Sequence, residues 1–171
     1  LGIADIHNWT RFSVIQPMYN LVKRTAEVEI LPMAESENLG VIPYSPLGGG
    51  LLSGKYAGGT KPEQGRLIRS LRYKTRYQEG WMHKTAENLK SFAEKLGVHP
   101  ASLAIAWVGA NPAVTAPIIG ARNLDHLETA LRSVDIDMTD ELYEQVTALS
   151  PTPAPATDRN EERLVDTYGP R

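Results

Sequence analysis

Tyr44-Ser45-Pro46-Leu47-Gly48-Gly49-Gly50 brings an aromatic ring, a hydroxyl and three consecutive glycines together within seven residues. An aromatic face can hold a flat heterocycle by stacking, worth on the order of 1 kcal/mol beyond burial. Glycines carry no side chain to keep a phosphate from the backbone N–H groups. Basic residues follow in the chain, Lys55 and Arg66 first, then Arg69, Arg72, Lys74 and Arg76. Arg122 comes just after Gly120-Ala121 and just before Asn123, a favourable helix N-cap. A guanidinium beside a helix N-terminus suits an anion, because the helix dipole and the fork of N–H donors act together. Gln16 ends a run of β-forming residues before Pro17, and its amide can both donate and accept. Each feature also has a plain structural reading. Gln16 is then a polar strand-end residue, Tyr44 a core tyrosine, and the basic residues a solvated loop.

These groups need strand ends and loops to carry them. Leu1–Asn8 reads as the end of a helix, and Phe12–Gln16 predicts a strand stopped by Pro17. Ala26–Asn38 carries a helical spacing, with Gly40 as its stop, and Val41-Ile42-Pro43-Tyr44 predicts a second strand. Strand, helix, strand favours parallel pairing. Residues 45–80 show no sustained period and read as one long loop, a length that is usually functional. Helical patterning resumes over Met82–Leu96 with Gly97 as stop, and again from Pro100 to Asn111-Pro112. Val114–Ile119 predicts a third strand closed by Gly120. Asn123 then caps a helix to about Ser133, and Thr139 caps a last one ending near Leu149. Ser150 onward, with Pro151, Pro153 and Pro155, reads as an extended tail over 150–171. Strands alternating with helices give an α/β class. Three strands are too few for a closed eight-stranded barrel, which takes about 250 residues.

Composition narrows the function classes. With 42% hydrophobic and 22% charged residues, a core can form and wholesale disorder is excluded. Eighteen Lys+Arg against 20 Asp+Glu leave a net charge of -2, which argues against a dedicated nucleic-acid or membrane-surface protein. No apolar run reaches the roughly 18 residues of a membrane span. The absence of cysteine excludes disulfides, thiolate zinc sites and a cysteine nucleophile, and it is compatible with a cytoplasmic setting. His83 and Glu87 stand four apart but lack a third ligand, so no metal site is expected. Glu27 with Glu29, and Asp135 with Asp137, read as ordinary polar residues, and Trp107 as core. The sequence begins Leu1-Gly2-Ile3, without Met or the shape of a signal peptide, as if cut from a longer chain.

Four segments, in order, resemble the aldo-keto reductases, with the nearest look to bacterial members and the potassium-channel β-subunit branch. Tyr44–Tyr56 resembles their seventh strand and its exit. Phe12–Leu21 resembles the sixth strand, Ala101–Trp107 the helix before the last strand, and Pro117–Asn123 the eighth strand and its loop. The likeness runs over about 1–149. It implies the C-terminal part of a (β/α)8 TIM barrel, about strands 6–8 with their helices, followed by the tail. It also implies an NADPH-dependent oxidoreductase that reduces aldehydes or ketones, represented by its cofactor-binding part.

By this resemblance Gln16 meets the nicotinamide amide, and Tyr44 stacks on the nicotinamide ring. Ser45, Pro46, Leu47 and Gly48 line the pyrophosphate, and Lys55 and Arg66 clasp the phosphates from above. Gly120 and Arg122 hold the ribose 2′-phosphate, which favours NADP(H) over NAD(H), with His126 near the adenosine. Thr129 and Ala130 depart from the Glu-Asn that several members place there for the adenine, although Glu128 lies beside them. The family's catalytic Tyr, Asp, Lys and His come from strands that precede the matched region. The isolated chain is therefore expected to be inactive. The partners this reading implies are a small carbonyl substrate, no nucleic acid and no membrane. A second copy, or the missing N-terminal half, would cover the open strand edges. The alternatives are a non-catalytic nucleotide-binding regulator like the channel β-subunits, and an inactive half-barrel.

Overall fold

β1 (Val14–Ile15) and β2 (Gly40–Val41) pair in parallel, with Val14 opposite Gly40 and Ile15 opposite Val41. The computed structural model that shows this describes residues 1–59, 62 and 65–157. Pairing runs on past the strands: the Tyr44 N–H donates to the Pro17 carbonyl at 3.0 Å, and Met18 bridges Tyr44. A short helix, α1 (Gly2–Ile6), precedes β1. Between the strands lie a 3-10 turn, Thr25–Glu27, and α2 (Ile30–Ser36). The helix expected over Ala26–Asn38 is thus shortened. Its stop is Asn38, at φ 53°, and not Gly40, which opens β2. Asparagine is among the few residues that visit the left-handed region readily.

The long loop expected over 45–80 contains regular structure. It holds a 3-10 segment, Gly48–Ser53, then α3 (Arg66–Arg69) and α4 (Leu71–Arg76). Helices this short span too few residues for a 3.6-residue period to show in the sequence. α5 (Gly80–Leu96) follows, burying Met82, Ala86, Leu89 and Ala93 at helical spacing. α6 (Pro100–Ala110) is buried from Pro100 through Val108, as befits a helix surrounded by others, and it packs against α5 and the later helices.

The third strand expected over Val114–Ile119 does not form a ladder. The Thr115 N–H and the Ala116 N–H both turn to the Val41 carbonyl, at 2.8 and 3.3 Å, and the Ile118 N–H reaches the Pro43 carbonyl at 2.8 Å. Pro117 between them has no N–H to give. The segment is extended and tied to the far side of β2, but it is not a paired strand. α7 (Leu124–Leu131) runs into a 3-10 turn, Arg132–Asp135, and α8 (Asp140–Thr147) completes the order. Asn123 caps α7 by accepting from the His126 N–H at 2.9 Å, and Thr139 caps α8 from the Leu142 N–H at 3.2 Å. Ser150–Pro155 lack regular structure, and residues 158–171 of the expected tail lie outside the described residues.

Trp107 of α6 sits at the middle of the core, fully buried. Its ring stacks on Tyr143 at 5.7 Å and tilts against Tyr19 at 5.2 Å, while its indole N–H donates to the Thr147 hydroxyl at 2.8 Å. Arg24 is buried beside it. The guanidinium grips both carboxylate oxygens of Glu27, at 2.8 and 2.9 Å, and reaches the carbonyls of Thr147 and Ser150. Burial and then Glu27 push the Tyr19 phenol far above its ordinary pKa, so it remains a donor, and it donates to Glu27 at 2.7 Å. No helix among the described residues is long and apolar enough to cross a membrane.

Candidate functional site

The end of β2 opens directly into a cleft. Tyr44 to Leu47 continue its line, Gly49 and Gly50 turn beneath, and the loop of Ile118 to Asn123 with the start of α7 forms the opposite wall. The cleft measures about 710 Å³, within the roughly 300–1,000 Å³ usual for small-molecule sites. Nine of the eleven residues singled out from the sequence line it: Tyr44, Ser45, Pro46, Leu47, Lys55, Arg66, Gly120, Arg122 and His126. Seventy-eight residues separate Tyr44 from Arg122, so the fold and not the sequence neighbourhood brings them together.

Gln16 and Gly48 do not line it. Gln16 is exposed at the exit of β1, one residue after the half-buried Ile15. Successive residues of an extended chain face opposite sides, and the Ile15 side meets the core. Gly48 is buried behind the cleft wall, where an added Cβ would lie 3.4 Å from the Tyr77 ring.

The electrostatics of the cleft are lopsided. Lys55, Arg66 and Arg122 make no ion pair among the described residues. Burial, then the charges of Arg122 and Arg66, hold the Lys55 ammonium below the usual lysine range. Both guanidinium groups thus lie near enough to Lys55 to oppose its charge, an arrangement that an anion would relieve. Asp125, in the first turn of α7, is the acidic residue on the lining. Two of the glycines mark close approaches: a Cβ on Gly50 would stand 3.0 Å from the Lys55 Nζ, and one on Gly49 only 2.6 Å from the Tyr73 ring.

The cleft also includes residues the sequence reading passed over. Tyr73 of α4 lies between two guanidinium groups, Arg66 at 5.5 Å and Arg76 at 5.2 Å from its ring centre, and forms an aromatic wall. Its place within a run of arginines was the available signal. His99 lines the cleft and caps α6, its Nδ1 accepting from the Ala101 N–H at 3.1 Å. Burial and Arg132 lower the pKa of His99, which keeps the ring neutral for that acceptor role. Thr129 and Ala130, the positions that depart from the family pattern, line the far end. His83 turns its ring to the Tyr77 carbonyl at 3.0 Å, and no metal-ligand cluster exists among the described residues.

Residues 2–151 match the Aldo/keto reductase family. The chain belongs to that family. Relatives of this aldo/keto reductase chain include "Uncharacterized oxidoreductase YrpG" of Bacillus subtilis, 36% identical over 146 residues, covering 83% of the chain and 41% of the relative. "Protein tas" of Escherichia coli is 32% identical over 149 residues, covering 87% and 43%. A protein of Oryza sativa subsp. japonica, named a probable voltage-gated potassium channel subunit beta, is 35% identical over 142 residues, covering 80% and 43%. The chain thus spans 41–43% of the length of these relatives. The family implies a TIM-barrel fold, and the chain shows a mixed α/β architecture with a parallel strand pair.

Proposed function

We propose that the chain is the NADP(H)-binding, C-terminal part of an aldo-keto reductase that reduces aldehydes or ketones to alcohols in the cytoplasm. The observation that carries this reading is the convergence of Lys55, Arg66 and Arg122, without carboxylate partners among the described residues, on a cleft whose entrance holds Tyr44. The donor set fits the cofactor. Cations suit its phosphates, and the missing side chain of Gly50 lets the Lys55 ammonium lie against the turn, where a Cβ would stand 3.0 Å from its Nζ.

When bound, NADPH supplies a hydride to a carbonyl carbon. The chain's own residues bind and orient. Tyr44 presents a ring face to the nicotinamide. Ser45, with the backbone of Pro46 and Leu47, meets the pyrophosphate, and Lys55 and Arg66 neutralise it. Arg122, beside the N-terminus of α7 and next to Gly120, takes the 2′-phosphate, with His126 one turn along. Gln16, at the exit of β1 two residues before the Met18 that bridges Tyr44, is the residue we assign to the nicotinamide amide. The proton donor of the family belongs to strands that precede the matched region. The chain by itself therefore reduces no carbonyl, and a complementary half-barrel or second copy completes the structure.

Fluorescence titration of the chain with NADPH and NADH tests the assignment. NADPH should bind more tightly, and Arg122→Ala should narrow the preference by about 1–3 kcal/mol, the range for a charge-assisted contact. Equal affinities for the two nucleotides before mutation would refute it.

A further inference from the structure

Among the described residues Ser45 is one of three non-glycine residues with positive φ, at 60°, and of those three it alone lines the cleft. Such a backbone is strained for a residue with a Cβ and persists only where its surroundings over-determine it. Pro46 follows directly, and a proline further narrows the conformations open to the residue before it.

The surroundings that hold Ser45 come largely from one side chain. Asn20 is fully buried, and its Nδ2 donates to the Ser45 carbonyl at 2.9 Å. The same carbonyl accepts from the Gly48 N–H at 2.9 Å. Asn20 is itself rigidly seated. Its Oδ1 accepts from the Val22 N–H at 3.1 Å, the Lys23 N–H donates to its carbonyl at 2.8 Å, and its own N–H donates to the Lys23 carbonyl at 3.3 Å. A tight turn on the exit of β1 thus projects one amide across to the exit of β2. Twenty-five residues separate donor and acceptor.

We propose that Asn20 is a positioning residue for the cleft: its carboxamide pins the Ser45 carbonyl, holds Ser45 in the left-handed region, and so fixes the chain from Tyr44 to Gly50 in the shape that receives a nucleotide phosphate. The nucleotide clause rests on the proposed function above; the pin itself does not. Asn20 lines no part of the cleft and acts only through Ser45.

Asn20→Asp keeps the shape and an acceptor for the Val22 N–H, and it removes the amide donor to Ser45 together with its interaction with Tyr77. It also places a carboxyl in a buried site, so Asn20→Ser, which brings no charge, is measured beside it. Hydrogen exchange of the ligand-free chain should show the amides of Leu47–Leu52 exchanging about tenfold faster, the loss expected for one hydrogen bond, with α5 and α6 unchanged. Ser45→Gly supplies the rescue, since glycine adopts positive φ without strain. In the Ser45→Gly background, Asn20→Asp should accelerate exchange less than about threefold, and its effect on NADPH affinity should shrink from about tenfold in the same proportion. Should Asn20→Asp fail to fold, Asn20→Ser in both backgrounds gives the same comparison. Unchanged local exchange, a uniform rise across α5 and α6, or an equal effect in both backgrounds would overturn the proposal. A chain that binds no NADPH while showing the local, rescued exchange would retract the cofactor reading and leave the pin standing.

Discussion

Gly49→Ala should destabilise the chain by about 2–4 kcal/mol, and the figure can be built from two separate causes. The backbone at Gly49 has φ +66°, where an alanine Cβ is strained by about 1 kcal/mol. The new Cβ would also stand 2.6 Å from the Tyr73 Cδ1 and 3.3 Å from the Leu67 Cδ1, and overpacking of this kind adds about 1–3 kcal/mol. Gly97→Ala isolates the first cause. That residue has φ +71° at the end of α5 and nothing within 4 Å of an added Cβ, so about 1 kcal/mol is expected there. Urea unfolding followed by far-UV circular dichroism gives both values from the midpoints. Tyr73→Ala adds the decisive comparison. With the ring gone most of the packing part should be relieved, Leu67 remaining, and the double variant should be more stable than the sum of the singles by about 1–2 kcal/mol. If Gly49→Ala is no more harmful than Gly97→Ala, the close seating of α4 on the glycine turn is wrong.

Three more predictions follow from features already described. NADPH affinity should be full at neutral pH and fall as pH rises through the Lys55 pKa, which burial, Arg122 and Arg66 hold low; titrations from about pH 7 to about pH 10 should lose this slope in Lys55→Met. Arg24→Met should lower stability by about 3–5 kcal/mol, because it leaves the inward carboxylate of Glu27 without its bidentate partner, and an unchanged unfolding midpoint would contradict the buried pair. The chain should self-associate, since Ile3, Ile6, Trp9, Phe12 and Val14 are exposed at one edge and Leu124, Leu127, Leu131 and Val134 form a stripe on α7 and its extension; a monomer of 18.8 kDa by light scattering would count against it.

Local chemistry was the most legible part of the sequence. Asn123, Thr139 and Pro100 each mark a helix start that depends on one turn of chain, and all three lie where the structure begins a helix. His99 was not legible as a cap because a ring nitrogen is a rare substitute for the usual short oxygen acceptor. The third strand failed for a tertiary reason: strand-forming residue types at Val114–Ile119 cannot make a ladder where Pro117 has no N–H and two neighbouring amides share the Val41 carbonyl. The motif residues from Tyr44 to Leu47 line one cleft with Arg122, whereas Gln16 is not on its lining, and a strand-end position in a sequence does not say which face the residue takes. Tyr73 escaped because its neighbour Gly49 lies 24 residues back, across a fold that no local pattern encodes.

The grip of Arg24 on the carbonyls of Thr147 and Ser150 has a kinetic side. These contacts join residues 123 and 126 positions apart, most of the way along the described residues. Closing so long a loop is entropically slow, although each doubling of length adds only about 0.6 kcal/mol. Helices α5 to α8 contact one another over short separations and can assemble first. On that order the joint is expected to form late, a latch fastened on an already packed helical block, and contacts of that kind govern how slowly a molecule comes apart more than how fast it is made.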